Sequence, residues 1–279
     1  MLLIPDNETL SRFIPNTIAP AVGEKPIYIK ILPFLTAAED WLEFNFIDRK
    51  ILNEIIQDAT DEEDPFYFLP RRIVALRAWI NAVPSIDIIV SSVGVGVVET
   101  NALKPASKAK IENLINATKD ELDYNIESLI NRIYRIPRWL DTRQADKFRS
   151  SLFPDFAILD ALDIKKNRYE EWLVYINRAS LIERRIAREW ISAPVLARLR
   201  AASVSRSSDG AIKEVLDLTR AAVIEELRSG IEQKTMLEDI TEIIRTDKTN
   251  FADWHTSDTA SRFHPVKFEN KEDKGGYWL

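Results

Sequence analysis

The feature that most constrains the fold is the spacing of apolar residues between positions 106 and 136. The spacing repeats every three or four residues, which places the apolar side chains on one face of an α-helix. It runs up to Pro137 and comprises Ile111, Leu114, Ile115, Leu122, Ile126, Leu129, Ile130 and Ile133. The pattern predicts a helix of roughly 25 to 28 residues, against the ~11 to 12 of an average helix. A helix of this length is typical of one that spans an assembly or braces two subdomains.

Shorter helical patterns flank this segment on both sides. Those before it cover about 36–46, 49–58 and 71–82, and those after it cover about 168–190, 195–202, 211–228 and 236–245. The predicted fold is therefore mainly α, with two related helical units joined by the long helix and a short β-hairpin after each unit. The predicted division is a proline-rich arm (1–28), a first unit with its hairpin (29–104), the long helix and a connector (105–163), a second unit (164–245) and a tail (246–279).

Two segments have the composition of β-hairpins. Residues 87–98 are rich in β-branched side chains and contain Gly94 and Gly96. The end of the chain places Gly275 and Gly276 between two short apolar runs, where they can supply the positive φ of a tight turn. The first 35 residues carry five prolines, which disfavour long helices, so the start of the chain is predicted to be an extended arm with helix only at Asn7 to Phe13.

An offset of 144 residues aligns the two predicted units. It places Thr36 on Ser180 and Glu39 on Glu183, so that each unit opens on the [S/T]-x-x-E pattern of a capping box. It also places Phe46 on Trp190, and with a one-residue slip Arg77 falls on Arg220. An internal repeat accounts for these matches, and the alternative is chance similarity between amphipathic helices, which share the same period.

Charge is divided unequally along the chain. The net charge is −6 and the pI about 5.3, which argues against a general nucleic-acid coat. Residues 36–70 carry ten acids against two bases, whereas residues 165–206 carry ten bases against four acids. In a head-to-tail assembly, an acidic first unit could meet the basic second unit of a neighbour, which closes into a ring when the rotation permits. The alternative is that each charged face is simply solvated.

Patterns of catalytic and metal chemistry are missing from the sequence. There is no cysteine, and His255 and His264 lie nine residues apart, which fits neither a helical metal pair nor a zinc finger. Serine hydrolase and P-loop motifs are absent, and Gly94-Val95-Gly96 lacks the third glycine of a dinucleotide loop. Paired carboxylates of a hydrolase remain compatible with the sequence, but a solvated acidic face explains them more simply. We predict a non-enzymatic protein with no catalytic residue, cofactor or metal site.

The sequence also bears on localisation. The start, Met-Leu-Leu-Ile-Pro-Asp, has no basic region of a secretory signal, and no uncharged apolar run approaches the ~20 residues of a membrane span. We expect neither secretion by a signal peptide nor a transmembrane segment, and a location in the cytoplasm unless the protein leaves the cell inside a larger assembly.

The segment from Val93 to Lys108 resembles a known family. It combines a hairpin of the form G-x-G-V-V, an asparagine and Pro-Ala-Ser-Lys opening a long helix. This arrangement is similar to uncharacterised proteins of phages and prophages of Bacteroidetes, whose flanking region resembles head–tail connectors. The resemblance implies a virion structural protein, a neck adaptor that forms or docks onto a ring at the portal. Its partners would be further copies of itself and neck proteins such as portal, near packaged DNA but without specific nucleic-acid binding. The alternative is a cytoplasmic helical interaction or regulatory protein that acts as a non-enzymatic oligomer.

Five residues are predicted to lie at interfaces. Arginine and tryptophan are both enriched at subunit contacts, and the predicted residues are the basic cluster of the second unit and two tryptophans of the tail: Arg184, Arg185, Arg188, Trp254 and Trp278.

Overall fold

A computed structural model describes residues 3–14, 26–58, 64–86, 88–91, 94–97, 107–206 and 210–263. Over these residues the protein is mainly helical, as predicted. The predicted terminal hairpin, with Trp278, lies outside the described residues. No helix among the described residues is long and apolar enough to cross a membrane.

The chain divides into two compact units. Unit 1 comprises residues 1–148 and 155–175, and unit 2 comprises residues 149–154 and 176–279. One boundary of the division falls inside the helix Arg168–Ile186. The long helix, Lys108–Ile133, belongs wholly to unit 1.

Unit 1 begins with helix α1 (Asn7–Phe13), whose N-cap Asp6 accepts a hydrogen bond from the Thr9 amide at 2.7 Å. Its Leu10 and Phe13 are buried, so this part of the predicted arm packs on its own unit. Helices α2 (Ile27–Asn45), α3 (Arg49–Asp58) and α4 (Pro65–Ala82) follow. The bounds of α3 agree with the sequence prediction.

The predicted capping boxes were wrong. Thr36 lies inside α2, where its hydroxyl donates to the Leu32 carbonyl at 3.2 Å, and the helix continues through Pro33. Ser180 likewise lies inside a helix. The reason is that Glu39 and Glu183 are buried and accept hydrogen bonds from distant groups instead of capping a local amide.

A short 3₁₀ turn (Val83–Ser85) ends α4, and strands β1 (Ile88–Ser91) and β2 (Gly94–Val97) pair antiparallel with Ile88 opposite Val97. Helix α5 (Lys108–Ile133) then packs on α4. Its residues 108–117 include no buried side chain, whereas burial begins at Thr118. The long helix therefore contributes only its C-terminal part to the core.

Unit 1 ends with a 3₁₀ turn (Pro137–Asp141), helices α6 (Arg143–Phe148) and α7 (Ala157–Ala161), and the first part of α8 (Arg168–Ile186). These segments close an aromatic core in which Phe148 lies 5.4 Å from Trp139 and 5.2 Å from Trp172 between ring centroids. Tilted and edge-on rings at these distances stabilise a core beyond their buried area.

The described part of unit 2 contains the last part of α8, a π-helical segment (Ala187–Ile191) and five further helices. These are α9 (Ala193–Ser205), α10 (Gly210–Ser229), α11 (Lys234–Thr246), α12 (Ala252–His255) and α13 (Asp258–Phe263). Residues 252–263 of the predicted tail are thus two short packed helices. The core is aliphatic around Val223 and Ile240 and aromatic around Trp254.

Candidate interaction surface

A buried glutamate and an arginine hold the first residues of unit 1. The Glu39 carboxylate accepts a hydrogen bond from the Leu3 amide, and Arg71 Nε donates to the Leu3 carbonyl at 3.1 Å. The other Glu39 oxygen accepts from Arg49 at 3.2 Å. The amide and the carbonyl of Leu3 are therefore both hydrogen-bonded, the first to Glu39 of α2 and the second to Arg71 of α4.

Unit 2 contains the same arrangement. Glu183, which is fully buried, accepts from the Leu152 amide at 2.9 Å, and Arg220 Nε donates to the Leu152 carbonyl at 2.9 Å. The held segments also match in sequence, since Leu-Ile-Pro-Asp at 3–6 corresponds to Leu-Phe-Pro-Asp at 152–155. These contacts pair Arg220 with Arg71, not with Arg77 as the sequence alignment suggested.

A tryptophan near the end of each unit makes a second recurring contact. Trp139 Nε1 donates to the Phe46 carbonyl at 2.5 Å, and Trp254 Nε1 donates to the Trp190 carbonyl at 2.9 Å. Both tryptophans open the pattern W-x-x-[S/T]-x-x-A-x-[K/R]-F, at 139–148 and 254–263. Sequence reasoning missed this pattern, although a search for spaced identities could have found it.

The position of Trp254 corrects its predicted role. The side chain is fully buried within unit 2, so it has no surface with which to contact a partner. Its indole nitrogen is satisfied inside the unit, and its ring packs 5.9 Å from Phe263. Trp254 is thus a core residue and not an interface residue.

One ion pair recurs with its charges exchanged. In unit 1, Arg138 contacts Glu54 at 3.0 Å, and in unit 2, Asp253 contacts Arg198 at 3.0 Å. Arg138 and Asp253 each precede the core tryptophan by one residue. The two units therefore keep the contact while their surfaces carry opposite charges.

The three predicted arginines have different surroundings. Arg185 bridges Glu226 and Glu232 within unit 2, so its charge is already compensated. Arg184 and Arg188 are exposed, and Arg188 contacts the adjacent Glu189 at 2.6 Å. Of the predicted cluster, only Arg184 and Arg188 present charge to solvent.

Arg184 and Arg188 line a surface groove of about 500 Å³ in unit 2. Two further arginines line it: Arg200, which is held by Glu183, and Arg262, which donates to the Arg188 carbonyl at 3.2 Å. Small and aliphatic side chains form the rest of its walls, with one acid, Asp258. The groove therefore favours acidic groups.

Two largely buried groups with perturbed pKa values lie in unit 1. Burial lowers the pKa of Lys147 to about 8, and its amine donates to the Tyr169 hydroxyl at 2.8 Å and to Asn45 Oδ1 at 3.2 Å. Burial also raises the pKa of Asp123, although its carboxylate accepts from the Arg168 and Tyr169 amides at the start of α8. Neither Lys147 nor Asp123 lines any of the grooves at Phe13, Glu54 or Arg184.

The described residues contain no group of three or more histidine, aspartate or glutamate side chains placed to hold a metal ion. His255 packs beside Trp254 at 5.1 Å between ring centroids, and His264 lies outside the described residues.

Part of the chain is similar to a known protein family. A model of a family of unknown function (DUF6712) matches residues 38–149. The match ends beside Phe148, the last residue of α6, and so covers most of the part of unit 1 that precedes Arg149. No curated protein and no solved structure matches the chain significantly.

Proposed function

We propose that this chain is a structural subunit of a phage-like particle, a head–tail connector or neck adaptor that forms or docks onto a ring at the portal. The observation that carries the proposal is the placement of opposite charges on exposed helix faces of the two units. Asp40 on α2 and Arg184 on α8 occupy corresponding positions under the 144-residue offset. Opposite charges on the two units of one chain favour head-to-tail association, and this is how identical subunits can close into rings.

We further propose that the two units are related copies of one helical module. The clamps on Leu3 and Leu152 and the indole contacts of Trp139 and Trp254 support this view. Such contacts join residues far apart in sequence, and amphipathic periodicity alone does not produce them. A duplicated module lets one chain carry two differently charged versions of the same surface.

The proposed function is tested by disrupting the gene in a phage or prophage that carries it. Without the protein, we expect filled heads and tails that fail to join. In purified wild-type particles, we expect mass spectrometry to detect the protein and immunogold labelling to place it at the neck. Complete particles that lack the protein would contradict the proposal. They would favour the alternative of a helical regulatory oligomer outside the particle.

The basic face is tested by reversing Arg184 and Arg188 to glutamate in the same system. Arg185 is left unchanged because its bridges to Glu226 and Glu232 belong to the fold. We expect loss of incorporation into particles with unchanged helical circular dichroism. Normal incorporation would show that this face is only solvated. Lys213→Glu, on the exposed side of α10, is the matched control.

A further inference from the structure

Helix α8 and the π-helical turn that continues it carry one exposed stripe. Asn177, Leu181, Arg184 and Arg188 follow each other at spacings of three and four residues, and all four are exposed. Leu181 is 66% exposed, and the Arg188 side chain is 68% exposed. A large aliphatic side chain beside two arginines is typical of a contact surface, since both kinds of group are used at interfaces.

Helix α2 carries a stripe at the corresponding positions of unit 1. Its exposed residues are Pro33, Ala37, Asp40 and Phe44. Phe44 is 67% exposed, and the Asp40 side chain is 72% exposed, with Arg49 no closer than 3.9 Å. Each stripe thus presents one large apolar side chain and one opposite charge next to it.

We propose that the α2 stripe of one copy packs antiparallel on the α8 stripe of a second copy, with Asp40 opposite Arg184 and Phe44 opposite Leu181. This inference rests on the proposed function, because it names the surface through which the subunits would assemble. In the antiparallel direction the two exposed apolar residues meet each other, and the two charges pair. In the parallel direction Phe44 would face Arg188 and Leu181 would face Ala37.

The partner that packs on each stripe is a second copy of the chain, because the stripe on one unit is complementary in charge to the stripe on the other unit. Both stripes are exposed within a single chain, and neither is complementary to itself: Asp40 would face Asp40 and Arg184 would face Arg184. Each copy can therefore contact one neighbour through its α2 stripe and another neighbour through its α8 stripe. Such a contact is heterologous and continues from copy to copy, giving a ring when the rotation between neighbouring copies closes.

Charge reversal with mixing tests this geometry in the purified protein. Asp40→Arg and Arg184→Asp should each weaken self-association about tenfold or more in analytical ultracentrifugation, because like charges then face each other. An equimolar mixture of the two variants should associate as the wild type does, since every contact in an alternating assembly again pairs opposite charges. The double variant should also recover. Asp120→Arg and Lys213→Asp, at exposed positions of α5 and α10, are controls that should leave association unchanged.

Cross-linking gives a second measurement that does not depend on affinity. The chain has no cysteine, so a disulfide can form only between introduced positions. A mixture of Phe44→Cys and Leu181→Cys chains should give a covalent heterodimer under mild oxidation, whereas Phe44→Cys mixed with Lys213→Cys should not.

The outcomes separate this contact from the proposed function. A wild-type chain that stays monomeric at its highest soluble concentration and gives no Phe44–Leu181 cross-link overturns the inference. So does equal association of the wild type and both single reversals. If the protein is nevertheless found at the neck of purified particles, the proposed function stands and only this contact is wrong.

Discussion

Glu183 and Arg200 form a buried ion pair in unit 2, with the carboxylate Oε2 accepting from Arg200 Nη2 at 2.7 Å and from Nε at 2.9 Å. The second oxygen of Glu183 accepts from the Ser151 hydroxyl at 2.6 Å and the Leu152 amide at 2.9 Å. All four contacts stabilise the ionised carboxylate, which explains how a fully buried charge is tolerated.

Removal of this carboxylate should destabilise the protein strongly. We expect Glu183→Ala to lower the free energy of unfolding by about 3–5 kcal/mol, because it leaves the Arg200 charge and the Leu152 amide without their buried partner. Glu39→Ala should lower the free energy of unfolding by less, because Arg49 keeps its ion pair with Glu43 at 2.7 Å. Urea unfolding followed by circular dichroism measures both variants, with Glu238→Ala on the exposed side of α11 as the control. Equal losses for Glu39→Ala and Glu183→Ala would contradict the role assigned to Glu43.

Lys147 should make stability depend on pH. Its pKa is about 8 in the folded protein against 10.5 in the unfolded chain, so between these values the unfolded state binds more protons and stability rises with pH. Relative to Lys147→Met, the wild type should therefore gain stability from pH 8 to 10, by less than the ~1.4 kcal/mol per pH unit that a difference of one full proton between the unfolded and folded states would give.

Lys147→Arg is the control for this prediction, because an arginine stays charged throughout this pH range. An arginine, Arg262, also occupies the corresponding position of the W-x-x-[S/T]-x-x-A-x-[K/R]-F pattern in unit 2. Its difference in unfolding free energy from Lys147→Met should not change over the same range. A wild-type difference that is equally flat would show that the amine is not desolvated.

Ser192, the residue before α9, should be a site of strain. Its φ of 71° and ψ of 155° lie in a region that essentially only glycine adopts, at a cost of about 1–3 kcal/mol. Its buried hydroxyl also finds no hydrogen-bond partner within the described part of the chain. Ser192→Gly should thus raise the free energy of unfolding by about 1 kcal/mol, after the greater entropy of an unfolded glycine is subtracted.

Ser192→Ala separates the two contributions, since it removes the hydroxyl and keeps the strained backbone. It should stabilise less than Ser192→Gly in thermal unfolding. A destabilised glycine variant would mean that the hydroxyl makes a contact that outweighs the strain.

The sequence predicted helices correctly where the helical spacing of apolar residues was long and regular. The sequence predicted α3 with its observed bounds and the length of α5, because one apolar face at helical spacing suffices to identify a helix. It misjudged α2, which begins at Ile27 and runs through Pro33. Burial of Ile31 and Leu35 on either side of that proline offsets the lost backbone hydrogen bond, and such burial depends on tertiary contacts.

The candidate surface was only partly predictable, for the same reason. The sequence identified the basic cluster, but it could not separate Arg185, which is bound to Glu226 and Glu232, from the exposed Arg184. Likewise it could not show that Trp254 is buried against its own unit.

The sequence by itself determined the helical class, the positions of most helices and the uneven distribution of charge, because these follow from residues within a few turns of each other. Only the tertiary structure decided which charges are compensated and which remain exposed, and which peptide each buried glutamate and arginine holds. Those outcomes depend on contacts between residues tens of positions apart, such as Glu39 with Leu3 or Arg185 with Glu226, and no local spacing encodes such contacts.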